Sequence, residues 1–264
     1  MPIVTLTSDL GSQQQIVASI KGKLLSSFAD LHIIDIEHYA TPFNLQKTVY
    51  HFKQTYRNFP NGTFHFLFND LYSDSKQQLL YVYENNQHIF CADNGFLTML
   101  FEDQAFEIMK LDEKVFPYNI LTVADSFITQ AALIQQGNQY GLIKISVDDI
   151  VIRKSNKAIA KNNTLEAQVL LIDTFGNVVL NVTQAEFEEE RKQRNFKILF
   201  MRDEEITNMS QHYNDVSMGE KLCLFNSANY LEIAINKGNA AQLFGFHEGN
   251  DRSLFYNNIK IFFE

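Results

Sequence analysis

The stretch "IVTLTSDLG" at residues 3–11 decides how the first half of the chain folds. Its β-branched beginning predicts a strand, and the small and polar residues from Ser8 to Gly11 predict a loop at the end of that strand. Residues 14–28 then carry apolar side chains at four-residue spacing, which predicts an amphipathic helix. The chain therefore opens with a strand, a loop that contains a carboxylate, and a helix.

The next segments continue this alternation. A strand predicted at 32–38 and another at 62–70 flank a helix predicted at 44–57. Asn85 and Asn86 separate two further apolar runs, which predicts the turn of a β-hairpin. Strands that alternate with helices indicate an α/β domain in this part of the chain.

The pattern changes after a helix predicted at 125–137, which begins on Asp125 as its cap and ends at Gly137. From about residue 143, short strand-like runs dominate, among them "DIVIRK" at 149–154. The second part of the chain is therefore expected to be rich in β-structure.

The polar segment "RKSNKAIAKNNT" at 153–164 is the predicted boundary between these two parts. We place an N-terminal α/β domain at residues 1–155 and a C-terminal β domain at residues 165–264.

Composition excludes several classes of function. The 264 residues carry a formal charge of −9 and are 45% hydrophobic, enough for a sizeable core. This charge would repel a phosphate backbone, and the sequence has no basic stripe with interleaved aromatic residues, so no nucleic-acid partner is expected. No apolar run reaches the length of a membrane span, and residues 1–9 lack the pattern of a signal peptide. The expected location is the cytoplasm, without a membrane partner.

Cys91 and Cys223 lie in separate apolar strand-like runs, which predicts buried free thiols. His38 and His65 also lie in apolar strand contexts and are interpreted as structural histidines. No group of His, Cys, Asp or Glu residues has the spacing of a metal site, so no metal is expected.

Polar groups at strand ends indicate a site for a small polar molecule. Asp9 could accept two hydrogen bonds from a vicinal diol, or could be an ordinary turn or cap carboxylate. Asp173 could receive an ammonium group and Asn177 could pair with an adenine edge, although "DTFGN" alone is also an ordinary turn. These residues taken singly leave both interpretations open.

The segment "SANYLEIAINKGNAA" at 227–241 is the most specific motif. With "LTSDLG" at 6–11 and "IDTFGN" at 172–177, it resembles the S-adenosylmethionine (SAM) hydrolase family, also called SAM hydroxide adenosyltransferases, which are related to the SAM-dependent fluorinase and chlorinase. The family's versions are "S-x-G-Y-L-E-I-A-x-N-x-G-N-A-A", "LTTDFG" and "IDxFGN". Asn229 stands where the family has Gly, and Asn tolerates the left-handed backbone better than most residues.

The resemblance implies a role for each matching residue. Asp9 would hold the ribose hydroxyls, and Phe43 would pack near the nucleoside. Asp173 and Asn177 would meet the amino-acid moiety and the adenine. Ser227 would help to bind the methionine carboxylate, and Asn236 belongs to the same motif.

The catalytic loop departs from the family. There an Asp, an Arg and a His activate the water that attacks C5′ of SAM. Here the Asp is kept as Asp70, but the Arg position falls on Gln77 and the His position on Thr122. We predict that these three residues, with Ser73, form a neutral polar pocket that holds water, and that turnover is slow because a general acid–base group contributes typically ~10²–10⁴ in rate.

The resemblance also implies an α/β N-terminal domain with a mixed sheet and an all-β, barrel-like C-terminal domain. It implies a homotrimer with sites between subunits, and no cofactor beyond SAM as substrate or ligand. The main hypothesis is a SAM hydrolase with altered water-activating residues. The alternatives are a SAM- or adenosine-binding protein without catalysis, acting as a sensor or sequestering module, and an enzyme for another 5′-modified nucleoside.

Overall fold

The computed structural model describes residues 2–11, 14–40, 44–72, 77–102, 104–112, 119–201, 204–247 and 258–264. The chain divides into two compact units, Met1–Ser155 and Asn156–Glu264.

The first unit is a sheet of seven described strands with helices on both faces. The strands lie in the order β2-β1-β3-β5-β4-β6-β7, and the pairs β1–β2, β1–β3 and β3–β5 are parallel while the others are antiparallel. The predicted mixed sheet is thereby confirmed. Its elements are β1 (Ile3–Ser8), α1 (Gln14–Ser27), β2 (His32–Glu37), α2 (Leu45–Thr55), β3 (Phe64–Phe68), β4 (Leu79–Glu84), β5 (Gln87–Ala92), α3 (Phe96–Phe101), β6 (Ile108–Leu111), α4 (Ile120–Gln135) and β7 (Leu142–Ile145).

Two apolar layers cover this sheet. Helices α1 and α4 pack on one face, and α2 and α3 pack on the other. Phe127 of α4 is fully buried, and its ring centroid lies 5.5 Å from those of Phe66, Phe68 and Phe90. Since β3 is buried along its whole length, it reads as an apolar run without alternation.

The hairpin turn at Asn85 and Asn86 is confirmed, with φ of 53° and 59°. The predicted start of the helix at Asp125 is wrong, because α4 begins five residues earlier. The Asn119 side chain accepts a hydrogen bond from the Thr122 backbone N–H, and the Thr122 hydroxyl accepts one from the Asn119 N–H. This capping box starts the helix and leaves Asp125 inside it.

The second unit is an antiparallel, barrel-like sheet, as predicted. Its described strands lie in the order β12-β11-β15-β9-β10-β14-β13, with β8 paired to β9. Lys221 of β13 forms an ion pair with Glu204 of β12, which brings the two end strands of the order together. The elements are β8 (Ile159–Lys161), β9 (Thr164–Ile172), β10 (Val178–Thr183), α5 (Gln184–Arg191), β11 (Phe196–Phe200), β12 (Glu204–Ile206), β13 (Lys221–Phe225), β14 (Tyr230–Ile235), α6 (Ala240–Phe244) and β15 (Asn258–Phe263).

The strand predicted at 149–154 is wrong. Residues 151–158 belong to no helix or strand of the structure. The backbone N–H of Val151 donates instead to Asp93 Oδ1 at 2.8 Å, and that of Arg153 donates to Thr98 Oγ1 at 2.9 Å. Side-chain acceptors therefore satisfy these two N–H groups in place of a sheet ladder.

Cys91 and Cys223 are buried free thiols, as predicted. Burial raises the pKa of the Cys223 thiol to about 12. None of the helices in the described part of the chain has both the length and the apolar character that crossing a membrane requires.

Phe127→Ala should lower the free energy of unfolding by about 3–5 kcal/mol, because it empties the space between α4 and three aromatic rings of the sheet. Urea denaturation followed by circular dichroism measures this loss. Tyr140→Ala, at a side chain 80% exposed, is the control and should change stability by less than about 0.5 kcal/mol. A loss below about 1 kcal/mol for Phe127→Ala would contradict this packing.

Candidate active site

Asp9 and Asp70 are brought together by the pairing of β1 with β3. The two strands are parallel, with Ser8 opposite Phe68, so their carboxyl ends meet at one edge of the sheet. The Asp70 backbone N–H donates to Asp9 Oδ2 at 2.9 Å. The chain passes from β1 outward to β2 and returns to β3 on the other side, so this edge is the switch point where α/β sheets place their ligands.

Asp70 combines an uncommon backbone conformation with a buried carboxyl group. Its φ is 48°, in the left-handed region, and it is 6% exposed. Burial raises the pKa of its carboxyl, and the Asp9 carboxylate raises it further, while the Arg153 guanidinium lowers it. Arg153 Nη1 lies 3.4 Å from Asp70 Oδ2. Strained backbone together with a buried, perturbed carboxyl is typical of a functional position.

The Gln77 side chain is hydrogen-bonded to the backbone of Asp70 and Tyr72. Its Oε1 accepts from the Tyr72 backbone N–H at 2.7 Å, and its Nε2 donates to the Asp70 carbonyl at 3.3 Å. The side chain is 5% exposed. Gln77 therefore fixes the backbone beside Asp70, and its predicted part in catalysis stays a prediction.

Thr122 forms part of the capping box of α4. Besides its bond with the Asn119 N–H, its hydroxyl donates to the Asn119 carbonyl at 2.7 Å. Asp125, one turn further along, pairs with Lys23 of α1 at 2.8 Å. The structure thus gives Thr122 a helix-capping role, and its catalytic role remains a prediction.

Phe43 and Ser73 lie outside the described residues, so their predicted roles rest on the sequence alone. His38 and His65 are both hydrogen-bonded through Nδ1, to Ser8 Oγ and Thr5 Oγ1, each at 2.7 Å. Burial lowers the pKa of His65 to about 4. His65 is enclosed and neutral, in keeping with a structural histidine.

The second unit carries its own cluster, built on the turn between β9 and β10. Asp173 Oδ1 accepts from the backbone N–H groups of Phe175 at 2.9 Å and Asn177 at 2.8 Å. Asp173 Oδ2 accepts from Asn177 Nδ2 at 2.9 Å. The carboxylate therefore sets the shape of the turn and the orientation of the Asn177 amide.

This turn lines a cleft of about 550 Å³, a size suited to a small organic ligand. The cleft's walls are Asp173, Phe175, Asn177, Tyr213, Ile235, Lys237 and Gly238. The exposed Phe175 ring and the Ile235 side chain supply apolar surface, and Asp173 and Asn177 supply polar groups. Two of the four residues predicted in this unit are thus brought to one cleft.

Ser227 and Asn236 are placed at the two ends of β14. Ser227 is exposed on the turn before the strand, which Asn226 organises by accepting from the Ala228 and Tyr230 N–H groups. Asn236 Nδ2 donates to the Val216 carbonyl at 2.8 Å. Neither belongs to the lining of the cleft formed by described residues.

Asn229 has a φ of 59° in the turn that carries Ser227. A left-handed residue is required there, which confirms that Asn is acceptable where the family has Gly.

Glu232 is a residue that the sequence reasoning did not select. It is 3% exposed in β14, and its carboxylate accepts from Tyr213 Oη at 2.8 Å and from Asn226 Nδ2 at 3.2 Å. Burial raises the pKa of this carboxyl. Glu232 therefore links a wall of the cleft to the turn that carries Ser227. A carboxylate inside the apolar run "YLEIAI" was the available signal.

The turn between β9 and β10 also packs against helix α6. Gly176 has a φ of 82°, and a Cβ there would lie 2.1–2.4 Å from the Asn239 side-chain atoms. Asn239 Oδ1 caps α6 by accepting from the Gln242 N–H at 2.7 Å, and the Ala241 N–H donates to the Gly176 carbonyl at 2.9 Å. Close approach at Gly176 therefore joins two of the sequence motifs.

Gly176→Ala and Gly219→Ala should both lower the free energy of unfolding, because each adds a side chain at positive φ. The loss should be about 1–3 kcal/mol larger for Gly176→Ala, because only there does the new Cβ meet another side chain. Thermal or urea unfolding measures the difference. Adding Asn239→Ala should recover part of the loss in the Gly176→Ala background. Equal losses in the two glycine variants would disprove the contact.

Comparison with known proteins finds family models that match both parts of the chain. The family model of the SAM hydroxide adenosyltransferase N-terminal domain matches residues 4–144, and that of the C-terminal domain matches residues 167–253. The (R)-S-adenosyl-L-methionine hydrolase of Methanocaldococcus jannaschii is 24% identical over an alignment of 263 positions, which covers 92% of each chain. A fluorinase from Actinoplanes sp. (strain N902-109) is 36% identical over 62 residues, 24% of this chain and 21% of the fluorinase.

Solved structures share the fold. An uncharacterized conserved protein from Thermotoga maritima matches 98% of this chain and 99% of its own with a TM-score of 0.80 and 25% identity. A conserved hypothetical protein from Thermus thermophilus matches over the whole of both chains with a TM-score of 0.72 and 18% identity.

The resemblance predicted from the three sequence motifs is confirmed by these matches to both domains. The chain belongs to the SAM hydroxide adenosyltransferase family.

Proposed function

We propose that this protein hydrolyses SAM at C5′ of the ribose to give adenosine and L-methionine. Family membership and the activity named for the Methanocaldococcus relative support this proposal. The observation that carries it in this chain is Asp70, a buried carboxylate on strained backbone at the switch point of the sheet, bonded through its N–H to Asp9.

The reaction needs little chemical assistance. The water oxygen forms a bond to C5′ as the C5′–sulfur bond breaks, and methionine leaves as a neutral thioether. The attacking water loses one proton, which the Asp70 carboxylate accepts and passes to solvent. The protein's contribution is to hold both ends of SAM, to exclude bulk water and to align the attacking water.

Different residues would bind the different parts of SAM. Asp9 would accept hydrogen bonds from the ribose hydroxyls, with Phe43 against the nucleoside. Asp173 and Asn177 would take the ammonium group and the adenine edge in the cleft.

Ser227 would bind the methionine carboxylate, with Asn236 holding the end of its strand. Ser73, Gln77 and Thr122 would line the water side of Asp70.

We further propose a homotrimer in the cytoplasm, with each site completed by a neighbouring subunit, and a reaction that uses no cofactor or metal. The family resemblance supports the trimer, and light scattering on the 30.5 kDa chain would test it. The acidic composition supports a small-molecule ligand over nucleic acid.

A second candidate function is a SAM- or adenosine-binding protein without turnover. The side chains of Gln77 and Thr122, at the positions of the family's Arg and His, are bonded to backbone groups at 2.7 Å. Side chains that are already bonded to the backbone contribute less to the activation of water, which favours the binding function over the catalytic one.

Incubation of the purified protein with SAM, followed by chromatography with mass detection, separates these functions. A hydrolase should yield adenosine and methionine in equal amounts, and Asp70→Asn should reduce the rate at least ~10²-fold, since it removes the proton acceptor. Asp30→Asn, at an exposed turn between α1 and β2, is the matched control and should keep the wild-type rate.

Intact SAM retained by the wild-type protein would contradict hydrolysis and support the binding function. Turnover that Asp70→Asn leaves unchanged would show that Asp70 is not the catalytic carboxylate.

A further inference from the structure

Arg153 reaches Asp70 from a segment that belongs to none of the family motifs quoted above. Its backbone is fixed on α3, because its N–H donates to Thr98 Oγ1 at 2.9 Å and Thr98 Oγ1 donates to its carbonyl at 3.0 Å. Two residues earlier, the Val151 N–H donates to Asp93 Oδ1 at 2.8 Å. These bonds determine where the Arg153 side chain begins.

Gly95 determines where that side chain runs. Its φ is 90°, and a Cβ there would lie 2.5–2.8 Å from the Arg153 Cβ, Cγ and Cδ atoms. The aliphatic stem of Arg153 therefore crosses the bare backbone of Gly95. Beyond it, Nη1 of the guanidinium lies 3.4 Å from Asp70 Oδ2.

A cation would offset the negative charges of Asp9 and Asp70 at this edge of the sheet. The Asp9 carboxylate lies beside Asp70, because it accepts a hydrogen bond from the Asp70 backbone N–H. Of the charged groups in the described part of the chain, Asp9 from the end of β1 and Arg153 act on the Asp70 carboxyl, the first raising its pKa and the second lowering it. The family positions that would carry Arg and His hold Gln77 and Thr122, which are neutral.

We propose that Arg153 is a positioning residue for the reaction, supplying from a new place in the fold the cation that the catalytic loop has lost. This inference rests on the proposed hydrolysis. Arg153 holds Asp70 Oδ2 by an ion pair, so that Oδ1 faces the attacking water and the carboxylate stays ionised to accept its proton. Arg153 itself forms no bond to the substrate and donates no proton in the step.

The test compares Arg153→Gln with Arg153→Lys, and Lys154→Gln serves as the matched control. Lys154 is the neighbouring exposed cation, so its removal changes the net charge equally. The first readout is the Asp70 pKa, followed by carboxyl ¹³C NMR of aspartate-labelled protein and assigned with Asp70→Asn. The second readout is the pH profile of kcat for SAM hydrolysis.

We expect the Asp70 pKa to rise in Arg153→Gln, because the opposing cation is gone, and to stay unchanged in Lys154→Gln. Because the reaction uses ionised Asp70, its rate falls as pH drops through the Asp70 pKa, and in Arg153→Gln this fall should move to higher pH. At neutral pH kcat should drop about 10- to 100-fold with KM changed little, and Arg153→Lys should recover part of it.

An Asp70 pKa that does not rise in Arg153→Gln would overturn the proposal, as would an equal effect of Lys154→Gln or an unchanged kcat. If wild type releases no adenosine, the proposed hydrolysis fails, and with it the positioning role given to Arg153 in that reaction. The NMR readout then still decides whether the ion pair controls Asp70.

Discussion

The parallel pairing of β1 with β3 is the constraint on which the candidate site depends. It sets Ser8 beside Phe68 and so brings Asp9 and Asp70 to the same edge of the sheet, close enough for the Asp70 N–H to bond the Asp9 carboxylate. The aromatic layer around Phe127 holds β3 from one face, and α2 and α3 cover the other. Because β3 is buried on both faces, a one-residue shift of its register would exchange the side chains of the two apolar layers and displace Asp70 from Asp9.

The electrostatic consequence of this pairing is an acidic edge. The nearby Asp9 carboxylate favours the protonated form of Asp70, yet a water-activating carboxylate has to be ionised. The Arg153 guanidinium opposes this effect by lowering the Asp70 pKa, which burial and Asp9 raise above its ordinary value. In the proposed mechanism, the charge that favours ionised Asp70 therefore comes from Arg153, in a distant part of the sequence.

Patterns that act over a few residues could be predicted from the sequence. The strand and helix at the start of the chain, the Asn85–Asn86 hairpin and the left-handed Asn229 all follow from local preferences. The start of α4 is also set locally, by Asn119 and Thr122, but Asp125 gives a competing cap signal six residues later, so the sequence predicts the wrong start. Arg153 could not be predicted, since its approach to Asp70 depends on the bare backbone of Gly95, which lies 58 residues earlier in the chain.

The most direct test of this account is hydrolysis of SAM in water enriched in ¹⁸O, with mass analysis of the adenosine released. If Asp70 directs a water molecule to C5′, the adenosine should carry one ¹⁸O atom at its 5′ oxygen and the methionine should carry none. Adenosine formed without the label would contradict attack by water at C5′. Recovery of SAM unchanged would show that the site binds its ligand without catalysis.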